Sequence, residues 1–588
     1  MSVRGVGLGC LRLSVAEHRD VESAIGVITT AVRHGVNLLD TAPSYGLGEW
    51  DVHHNERLVR LALESIGDEA RDVRVATKVG LTREGAAWVP DGRTRSILAS
   101  CEASAEVLGR RPLDLVLLHA VDPSTDLAVT ARALAELVAR GLAREVGACN
   151  VSLKELAVLR SEAPISAVQV AWSPYEQRAA RGGVVGDCLE RGDLLLVHSP
   201  FGGPKRAPRL ARHPAREMAA ERGISTHALL LALLYGQSER LVPLPGATRV
   251  ETAIDAARAA AVTLDAEERR AAAELFGLVA PTAPRSARSP VAGSASGSEI
   301  VMVAGPQGAG KSTEAAKYVA RGFERLNRDE LGGTLAGLHR ELDRRLRRGG
   351  RFVVDNTYLA RADRHPVVEL AARHRTPVRL VFCEAPSELL QARIARRMVE
   401  SLGYLPGPDG LRALAKQHPF VFTPSVHFRA LRALELADPA EGFESIEVAR
   451  AQLPTPGAES GSGLESVAIL WDTLVGRPTI LDALLGRVSN LFVFAWCLPE
   501  DLQVVSRELG RLQERGVATG LCPHGGGPPI CWCRPPMPGL LVEWAFARGV
   551  DLTRAWVIGR GPAHRALARG VGARFASPED WRELLRPE

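Results

Sequence analysis

Short apolar runs alternate with amphipathic helical stretches along the first 280 residues of the chain. Each run has the length of one strand, and the stretch that follows it has the period of a helix. Alternation sustained over this length predicts a (β/α)8 (TIM) barrel, in which parallel strands are each followed by a helix. Examples of these runs are Val36–Leu39, Val73–Thr77, Leu113–Leu118, Ala167–Val170, Leu194–Val197 and Leu241–Leu244.

Two stretches rich in Pro, Ser, Ala and Gly, at 281–298 and 454–463, have no apolar periodicity and are predicted to be linkers. They divide the 588 residues into three predicted α/β domains, at 1–280, 299–453 and 464–588. The strand-like runs of the second and third domains, which favour parallel sheets, are Ile300–Ala304, Phe352–Val354, Val378–Phe382, Val467–Leu470, Leu491–Phe494 and Ala555–Ile558.

The composition excludes several classes of protein. A content of 46% hydrophobic and 24% charged residues is typical of a folded protein and not of a disordered scaffold or a fibre. No apolar run approaches the roughly 18 residues that a membrane-spanning helix needs, and the N-terminus lacks the pattern of a signal peptide, so we expect a cytoplasmic location. The net charge of +5 tolerates a polyanionic partner without requiring one.

Four polar residues lie at or just after separate predicted strands of the first domain. They are Asp40, Tyr45, Lys78 and His119, and a barrel brings such positions together at one mouth. We expect the charge of Lys78 to lower the pKa of the Tyr45 phenol, which would then donate a proton. Asp40 would hold Lys78 in place, and His119 would orient a carbonyl group.

In order and in local context, DTAPSYG, VATKVG and LVLLHAVD, these four residues resemble the catalytic tetrad of the aldo-keto reductase family. The resemblance covers the whole first domain. It implies an NADPH-dependent reductase of a small carbonyl compound, with Tyr45 as general acid and the cofactor supplying hydride. The alternative is a barrel kept only as a scaffold.

The same resemblance implies the cofactor contacts. Asn150 and Gln169 would hold the nicotinamide carboxamide, Ser199 and Gly246 lie in loops that would bind the pyrophosphate, and Arg249 would bind the 2′-phosphate. Two positions depart from the family pattern. Cys149 stands where Ser normally precedes the Asn, and Asp255–Ala256 replaces a Glu–Asn pair that contacts adenine.

The segment GPQGAGKST at Gly305–Thr313 follows a predicted strand and precedes a helix, which is the context of a P-loop. Backbone N–H groups of such a loop hold the phosphates of ATP, a lysine reaches the β- and γ-phosphates, and a hydroxyl binds Mg²⁺. The residues assigned to these roles are Gly305, Gly308, Gly310, Lys311, Ser312 and Thr313, with Ser312 as the Mg²⁺ ligand.

Three further segments, LNRDELGG at 326–333, VVDNT at 353–357 and QARIARRM at 391–398, resemble the kinase module of polynucleotide kinase-phosphatase. The resemblance implies that Asp329 is the general base for a 5′-hydroxyl of RNA or DNA and that Asp355 lies near the metal and the acceptor. Arg393 and Arg397 would be lid arginines that stabilise the transferring phosphoryl group.

Two features of this domain leave a structural alternative open. Asp329 precedes an apolar helix, which it would also suit as a helix cap. A run of arginines near a helix end is either a track for a polyanion or a solvated helix end that compensates the helix dipole. The run comprises Arg344, Arg345, Arg347, Arg348 and Arg351.

Four candidate metal ligands cluster near the C-terminus. Cys522, His524, Cys531 and Cys533 form a C-x-H…C-x-C pattern, which favours a closed tetrahedral structural Zn²⁺ site over four unrelated side chains. The chain has nine cysteines, too few over this length for a disulfide scaffold.

The segment CPHGGGPPICWCRPPMPG resembles the zinc loop of the histidinol-phosphate and heptose-bisphosphate phosphatases, a branch of the haloacid dehalogenase (HAD) superfamily. That resemblance implies a HAD-like domain with its catalytic groups replaced, because a carboxylate nucleophile and an acidic Mg²⁺ site cannot be built from apolar and basic residues. Asp472 remains, and the replacing residues are Leu470, Ala495, Met537, Arg560 and His564.

Together these patterns predict a bifunctional enzyme that heals or modifies nucleic-acid ends, with a 5′-hydroxyl kinase, a carbonyl reductase and an inactive phosphatase domain. A different class of function is a metabolic enzyme that reduces an aldehyde and phosphorylates the resulting alcohol. In a third, the barrel and the C-terminal domain are binding modules around one working kinase.

Overall fold

The computed structural model describes residues 5–15, 19–279, 297–457, 465–525 and 530–582. They fall into two compact units, bounded as Met1–Ser286 with Arg361–His365 and as Ala287–Ala360 with Pro366–Glu588. Most of the predicted linker at 281–298, and residues 458–463 of the second predicted linker, lie outside the described residues.

Eight parallel strands of the first unit form a barrel in the order β1-β2-β3-β6-β7-β8-β9-β10. A parallel bridge between Gly9 and Gly246 joins the first strand to the last and closes it. The predicted barrel is therefore confirmed. The strands are β1 (Gly7–Gly9), β2 (Leu38–Asp40), β3 (Arg74–Val79), β6 (Leu113–Leu118), β7 (Ala143–Cys149), β8 (Ile165–Ala171), β9 (Leu194–His198) and β10 (Leu241–Leu244), with a separate hairpin of β4 (Leu81–Glu84) and β5 (Ala87–Pro90).

Helices connect these strands and cover the outside of the barrel. Side-chain caps fix several of their starts, as at α6, where Ser152 and Glu155 form a capping box. The helices are α1 (Arg12–Val15), α2 (Val21–Arg33), α3 (His54–Ile66), α4 (Thr94–Leu108), α5 (Leu127–Ala139), α6 (Leu153–Glu162), α7 (Arg178–Arg181), α8 (Val184–Arg191), α9 (Arg216–Glu221), α10 (Thr226–Tyr235), α11 (Val250–Arg258) and α12 (Ala266–Phe276).

Alternation along β6 shows how the barrel is filled. Leu115 and Leu117 belong to the apolar cluster inside the barrel, whereas Val116 and Leu118 belong to the cluster between the sheet and the helices. All four are fully buried, because successive side chains of a barrel strand point to opposite faces and both faces are covered.

The P-loop sheet of the second unit has five parallel strands in the order β12-β13-β11-β14-β15. Its central strand β11 leads into the glycine-rich segment. The strands are β11 (Glu299–Ala304), β12 (Glu324–Asn327), β13 (Arg351–Asp355), β14 (Val378–Glu384) and β15 (Ser445–Arg450), and the helices are α13 (Lys311–Val319), α14 (Arg328–Leu331), α15 (Leu335–Leu346), α16 (Arg361–Arg373), α17 (Ser387–Leu402), α18 (Pro408–Leu414) and α19 (Pro424–Arg432).

A second sheet of five parallel strands follows in the same unit, in the order β18-β17-β16-β19-β20. Among the residues that the structure describes, no helix is both long and apolar enough to cross a membrane. The strands are β16 (Ser466–Leu470), β17 (Asn490–Trp496), β18 (Ala518–Cys522), β19 (Trp556–Ile558) and β20 (Arg574–Ala576), and the helices are α20 (Trp471–Leu474), α21 (Pro478–Leu484), α22 (Leu502–Glu514), α23 (Gly539–Arg548) and α24 (Gly561–Val571).

Helix α17 belongs to the core of both sheets in this unit, since its Leu390 is buried with Val301 and Val303 of β11. Its residues Ala392, Ala395 and Val399 are buried in one cluster with residues of α23 and α24, such as Leu541 and Leu567. The P-loop sheet and the C-terminal sheet are therefore packed together through this helix.

Candidate functional site

The four residues of the predicted tetrad meet at the carboxyl ends of three barrel strands. Lys78 Nζ donates to Asp40 Oδ1 at 2.6 Å and to the Thr41 carbonyl oxygen at 2.9 Å. The same nitrogen lies 4.8 Å from the ring centroid of Tyr45. The rings of Tyr45 and His119 meet edge to face with their centroids 5.6 Å apart. The structure thus brings all four side chains together.

Burial sets the protonation of this cluster. It raises the pKa of the Tyr45 phenol, and the opposing effect of the Lys78 charge is smaller, so the sequence-based expectation of a lowered pKa is wrong in direction. Burial lowers the pKa of Lys78, but the combined influence of Asp40, its hydrogen bond and Tyr45 raises it overall. Burial and the Lys78 charge hold the pKa of His119 well below its ordinary value. At neutral pH the phenol is protonated and the imidazole neutral.

Two amide side chains lie beside the tetrad. Gln169 on β8 donates from Nε2 to Asp40 Oδ1 at 2.7 Å, so it also helps to hold the carboxylate. Asn150 follows β7 in the left-handed region at φ 51°, and its Oδ1 accepts from the backbone N–H of Ala171 at 3.0 Å. His198 was not predicted from the sequence, and its Nε2 lies 3.0 Å from Asn150 Oδ1. The signal available in the sequence was its position directly after the predicted strand Leu194–Val197.

The remaining predicted cofactor residues lie at the ends of the last two strands. Ser199 follows β9 with φ 53°, and Gly246 and Arg249 follow β10 and are exposed. Arg249 directly precedes α11, so its guanidinium is available to an anion at this end of the barrel.

Cys149 and Asp255, which depart from the family pattern, each contact a polar side chain of the barrel domain. The Cys149 thiol is buried 3.8 Å from Gln169 Oε1. The carboxylate of Asp255 accepts from the Ser225 hydroxyl at 2.6 Å, and Ser225 caps α10. Asp255 therefore has a structural partner within the barrel domain.

An aromatic wall that was not predicted from the sequence lies next to the tetrad. Trp88 on β5 is 43% exposed, and its ring centroid lies 6.3 Å from Tyr45 and 6.1 Å from His119. Arg83 on β4 stacks on this indole at 4.1 Å and donates to the Gly46 carbonyl oxygen at 2.5 Å. The hairpin is thereby held against the turn that carries Tyr45.

In the second unit, the glycine-rich segment forms a tight loop between β11 and α13. Gly305, Gly308 and Gly310 have φ angles of 140°, 84° and 96°, a region that other residues rarely adopt. A Cβ atom on Gly305 would lie 2.4 Å from the Cys383 carbonyl oxygen. The backbone of the loop thus has the conformation and close packing that a phosphate-binding loop needs.

The side chains at the start of α13 line the same site. Lys311 Nζ donates to the Pro306 carbonyl oxygen at 2.8 Å, and burial lowers the pKa of Lys311 to about 8. Ser312 and Thr313 are exposed in the first turn of the helix. The structure therefore brings the predicted P-loop residues together.

Asp329 is not the cap of the short helix α14. The Oδ1 atom of Asn327 caps it by accepting from the backbone N–H groups of Asp329 at 2.7 Å and Glu330 at 3.3 Å. The Asp329 side chain is 51% exposed and pairs with Arg328 at 3.1 Å. Its carboxylate lines the cavity beside the P-loop, so the alternative of a purely capping role is wrong.

Asp355, the last residue of β13, is buried and lies beside the P-loop. Arg325 holds its carboxylate with two hydrogen bonds, at 3.0 and 2.6 Å. Asn327 Nδ2 donates to the same carboxylate at 2.9 Å. The Arg325 guanidinium also lies 3.4 Å from the Ser312 hydroxyl, so it lies between the two oxygen donors that a metal ion would use.

The cavity beside the P-loop has a volume of about 1180 Å³. Arg393 closes one side by donating to the Gly308 carbonyl oxygen at 3.1 Å, and Arg397 lies over the Phe420 ring at 5.3 Å. Both predicted lid arginines therefore lie at the cavity. Other residues that line it are Lys311, Ser312, Arg325, Arg328, Asp329, Asp355, Phe422 and Arg450.

Acidic side chains pair with most of the arginine run at the end of α15. Arg344 and Arg345 both pair with Glu341, and Arg347 pairs with Asp343 at 3.0 Å. Arg345 also contacts Glu324, and Arg351 contacts Glu299 at 3.5 Å. These partners favour the structural role of the run over a polyanion track.

The four predicted metal ligands converge in the C-terminal sheet domain, with all their ligand atoms within 4.8 Å of one another. Cys522 Sγ lies 3.5 Å from Cys531 Sγ and 3.3 Å from Cys533 Sγ, and His524 Nδ1 lies 3.2 Å from Cys533 Sγ. Zn–S bonds of about 2.3 Å put tetrahedral ligands within about 4 Å of each other, so the donor set fits Zn²⁺. Residues 526–529 of this loop lie outside the described residues.

Among the predicted replacements of phosphatase residues, Leu470, Ala495 and Arg560 lie at or just after the carboxyl ends of β16, β17 and β19. Leu470 ends β16, and both it and Met537 are buried. After β19, the backbone N–H of Arg560 donates to His564 Nδ1 at 2.9 Å. Asp472 is exposed in α20.

Two of these regions match the models of known families. The model of the Aldo/keto reductase family matches residues 6–275, and an AAA domain model matches residues 300–403.

Solved structures similar to the chain include three reductases or dehydrogenases. Glycerol dehydrogenase from Gluconobacter oxydans is 24% identical, with 47% of this chain and 94% of that chain covered and a TM-score of 0.40. A thermostable aldo-keto reductase in complex with epalrestat is 26% identical, with 46% and 94% covered and a TM-score of 0.39. Aldo-keto reductase from Klebsiella pneumoniae in complex with NADPH is 22% identical, with 47% and 92% covered and a TM-score of 0.40.

Proposed function

We propose that the aldo/keto reductase domain at residues 6–275 and the P-loop kinase-like domain at residues 300–403 give this chain two activities. The barrel reduces an aldehyde or ketone with NADPH. The P-loop domain transfers the γ-phosphate of ATP to a 5′-hydroxyl end of RNA or DNA. The two together form an enzyme that heals or modifies nucleic-acid ends.

The contact of Lys78 with both Asp40 and the Tyr45 ring carries the reductase proposal. NADPH supplies the hydride when it is bound. Tyr45 holds a proton on its phenol at neutral pH and gives it to the carbonyl oxygen, while Lys78 stabilises the resulting phenolate. Neutral His119 orients the carbonyl group.

The residues at the barrel mouth fit NADPH. Asn150 and Gln169 present amides beside the tetrad, and Ser199 and Gly246 lie in exposed loops at the carboxyl ends of the last two strands. The exposed guanidinium of Arg249 suits a 2′-phosphate.

The Asp329 carboxylate, which lines the same cavity as the P-loop, carries the kinase proposal. It accepts the proton of the acceptor hydroxyl, as a base within reach of the phosphate site should. Lys311 and the backbone of the glycine loop hold the phosphates of ATP, and Ser312 and Asp355 would hold Mg²⁺. Arg393 and Arg397 stabilise the charge of the transferring group.

The lining of the cavity supports a nucleic-acid acceptor. Arg397 supplies positive charge for phosphates, and Phe420 and Phe422 supply flat apolar surface on which a base would stack. The volume of about 1180 Å³ leaves room for an acceptor beside ATP.

Transfer from γ-labelled ATP to 5′-hydroxyl RNA and DNA oligonucleotides tests the kinase. We expect Asp329→Ala to lower labelling by about 100-fold or more, with nucleotide binding retained. The control is Asp409→Ala, which removes a fully exposed carboxylate of α18. No label on either polymer, with ATP still bound, would refute the polynucleotide acceptor and favour a small alcohol and a metabolic enzyme.

For the reductase we propose an aldehyde of a damaged nucleic-acid sugar as substrate, because a kinase for nucleic-acid ends shares the chain. NADPH oxidation should rise when an oligonucleotide with an abasic aldehyde replaces the intact oligonucleotide. Equal rates on both would refute this substrate.

The C-terminal sheet domain is proposed to be a HAD-like phosphatase domain without catalytic activity, stabilised by structural Zn²⁺. Cys522, His524, Cys531 and Cys533 are the ligands. By the resemblance, Leu470 replaces the nucleophile, and its side chain is buried, so we expect no release of phosphate from 3′-phosphorylated ends.

A further inference from the structure

Helix α17 presents different faces to the kinase cavity and to the C-terminal sheet domain. Arg393 and Arg397, one turn apart, are exposed and lie at the P-loop cavity. Ala392 and Ala395 are buried in the cluster shared with α23 and α24. The position of the two arginines therefore depends on how the C-terminal domain holds the opposite face.

The contact between the two domains is close along the length of this helix. Glu388 in its first turn pairs with Arg569 of α24 at 2.5 Å. A Cβ atom on Gly570 would lie 2.5 Å from the Glu388 carbonyl oxygen, so α24 passes against the α17 backbone. Beyond the end of α17, Glu543 of α23 accepts from the Leu405 backbone N–H at 2.9 Å.

Trp532 connects the candidate metal loop to the segment after α17. Its side chain is fully buried, and its Nε1 donates to the Phe422 carbonyl oxygen at 2.7 Å. Its ring lies 6.0 Å from the Phe422 ring and 5.7 Å from the buried His427 ring. It shares an apolar cluster with Ile394 and Met398 of α17.

The packing around Trp532 extends to the phosphate site. Phe420 and Phe422 line the cavity, and the guanidinium of Arg397 lies over Phe420 at 5.3 Å. Trp532 stands between Cys531 and Cys533, two of the four candidate metal ligands. Through Trp532, the metal loop therefore packs against the segment that lines the cavity. Phe420 of this segment contacts the lid arginine Arg397.

We propose that Trp532 is a positioning residue of the kinase site, through which the C-terminal domain holds the lid arginines in place. This inference rests on the proposed phosphoryl transfer. It gives the C-terminal domain a function that needs no phosphatase chemistry, namely to keep Arg397 and the Phe420–Phe422 wall aligned with the P-loop. Displacement of catalytic groups by about 1 Å costs on the order of 100-fold in rate.

The test compares Trp532→Phe and Trp532→Ala with Trp581→Ala in the full chain. Trp581 is a buried tryptophan of the same domain, but its cluster contains no residue of the kinase domain. We expect Trp532→Ala to lower kcat for phosphate transfer by about 100-fold and to change the affinity for ATP less than threefold. The kcat of Trp532→Phe should lie between those of the wild type and Trp532→Ala, and this conservative variant controls for misfolding. Trp581→Ala should retain the wild-type kcat.

Unchanged kcat in both Trp532 variants, or an equal loss in Trp581→Ala, would overturn the proposal. If the wild-type chain phosphorylates none of the oligonucleotides, the kinase proposal fails, and hydrogen exchange then decides the positioning role. Faster exchange of α17 and residues 419–422 in the Trp532 variants than in Trp581→Ala would support it, and equal exchange would refute it.

Discussion

Arg325 and Asp355 form a bidentate ion pair beside the P-loop, with hydrogen bonds of 3.0 and 2.6 Å. The Asp355 side chain is 1% exposed and that of Arg325 is 24% exposed. A buried carboxylate that loses its partner keeps an uncompensated charge, which is strongly destabilising.

We therefore expect Arg325→Gln to lower the free energy of unfolding by about 3 kcal/mol without metal. Mg²⁺ should restore part of this loss, because it would bind between Ser312 and Asp355, where the guanidinium lies in the wild-type protein. Urea unfolding with and without Mg²⁺ measures both effects. Arg328→Gln is the control, since the Arg328–Asp329 pair is half-exposed and should contribute under about 1 kcal/mol. A loss that Mg²⁺ does not reduce would contradict the proposed metal position.

Tyr45→Phe should lower kcat for carbonyl reduction by about 100-fold or more, because the proton donor is removed while the ring remains. NADPH binding, followed by fluorescence titration, should change little. Tyr235→Phe is the control, because Tyr235 is a buried tyrosine of α10 outside the tetrad. Equal activity of Tyr45→Phe and the wild type would exclude Tyr45 as general acid.

The pH dependence of reduction should show no inflection near 6.5, the ordinary pKa of histidine. Burial and Lys78 lower the pKa of His119, so the imidazole stays neutral as the pH falls through that value. For the same reason, its contribution to stability is complete above about pH 6.5 and is lost as the pH falls further, since only the unfolded chain binds the proton readily. A pH–rate profile of carbonyl reduction tests whether the inflection is absent. An inflection near 6.5 that disappears in His119→Gln would contradict a neutral imidazole.

Metal analysis of the purified chain should find about one Zn²⁺ per molecule, and Cys531→Ser should lose it. Loss of an ion present at 100 times its dissociation constant lowers the free energy of unfolding by about 2.7 kcal/mol. Cys497→Ser is the control, because this buried cysteine lies outside the ligand cluster. Equal zinc content in Cys531→Ser and the wild type would refute the site.

Apolar runs in the sequence were sufficient to locate the strands that are buried on both faces. Leu113–Leu118 and Leu241–Leu244 have the predicted bounds, because strands buried on both faces are continuous apolar runs. Strands β1 and β7 give weaker apolar signals, because Gly7–Gly9 contains two glycines and Arg144 and Glu145 interrupt β7. These strands depend on pairing with neighbours, which a single run of sequence does not contain.

The catalytic side chains were also predicted from their places after strands, but their surroundings were not. The net pKa direction of Tyr45 depends on its burial, and Trp88 reaches the tetrad only because the β4–β5 hairpin folds back. The cap of α14 falls on Asn327 and not on Asp329, a distinction that needs backbone geometry. Contacts made by distant segments decided the first two cases, and local backbone geometry decided the third.

The shared helix α17 limits where the chain can be divided. A fragment that ends at residue 453 would keep the P-loop and Asp329, yet it would expose Ala392, Ala395 and Val399 to water together with the apolar residues that surround Trp532 in the whole chain. Such a contiguous apolar patch favours self-association. The kinase domain released by proteolysis in this region should therefore precipitate, and its solubility should return when the C-terminal sheet domain is supplied as a separate chain.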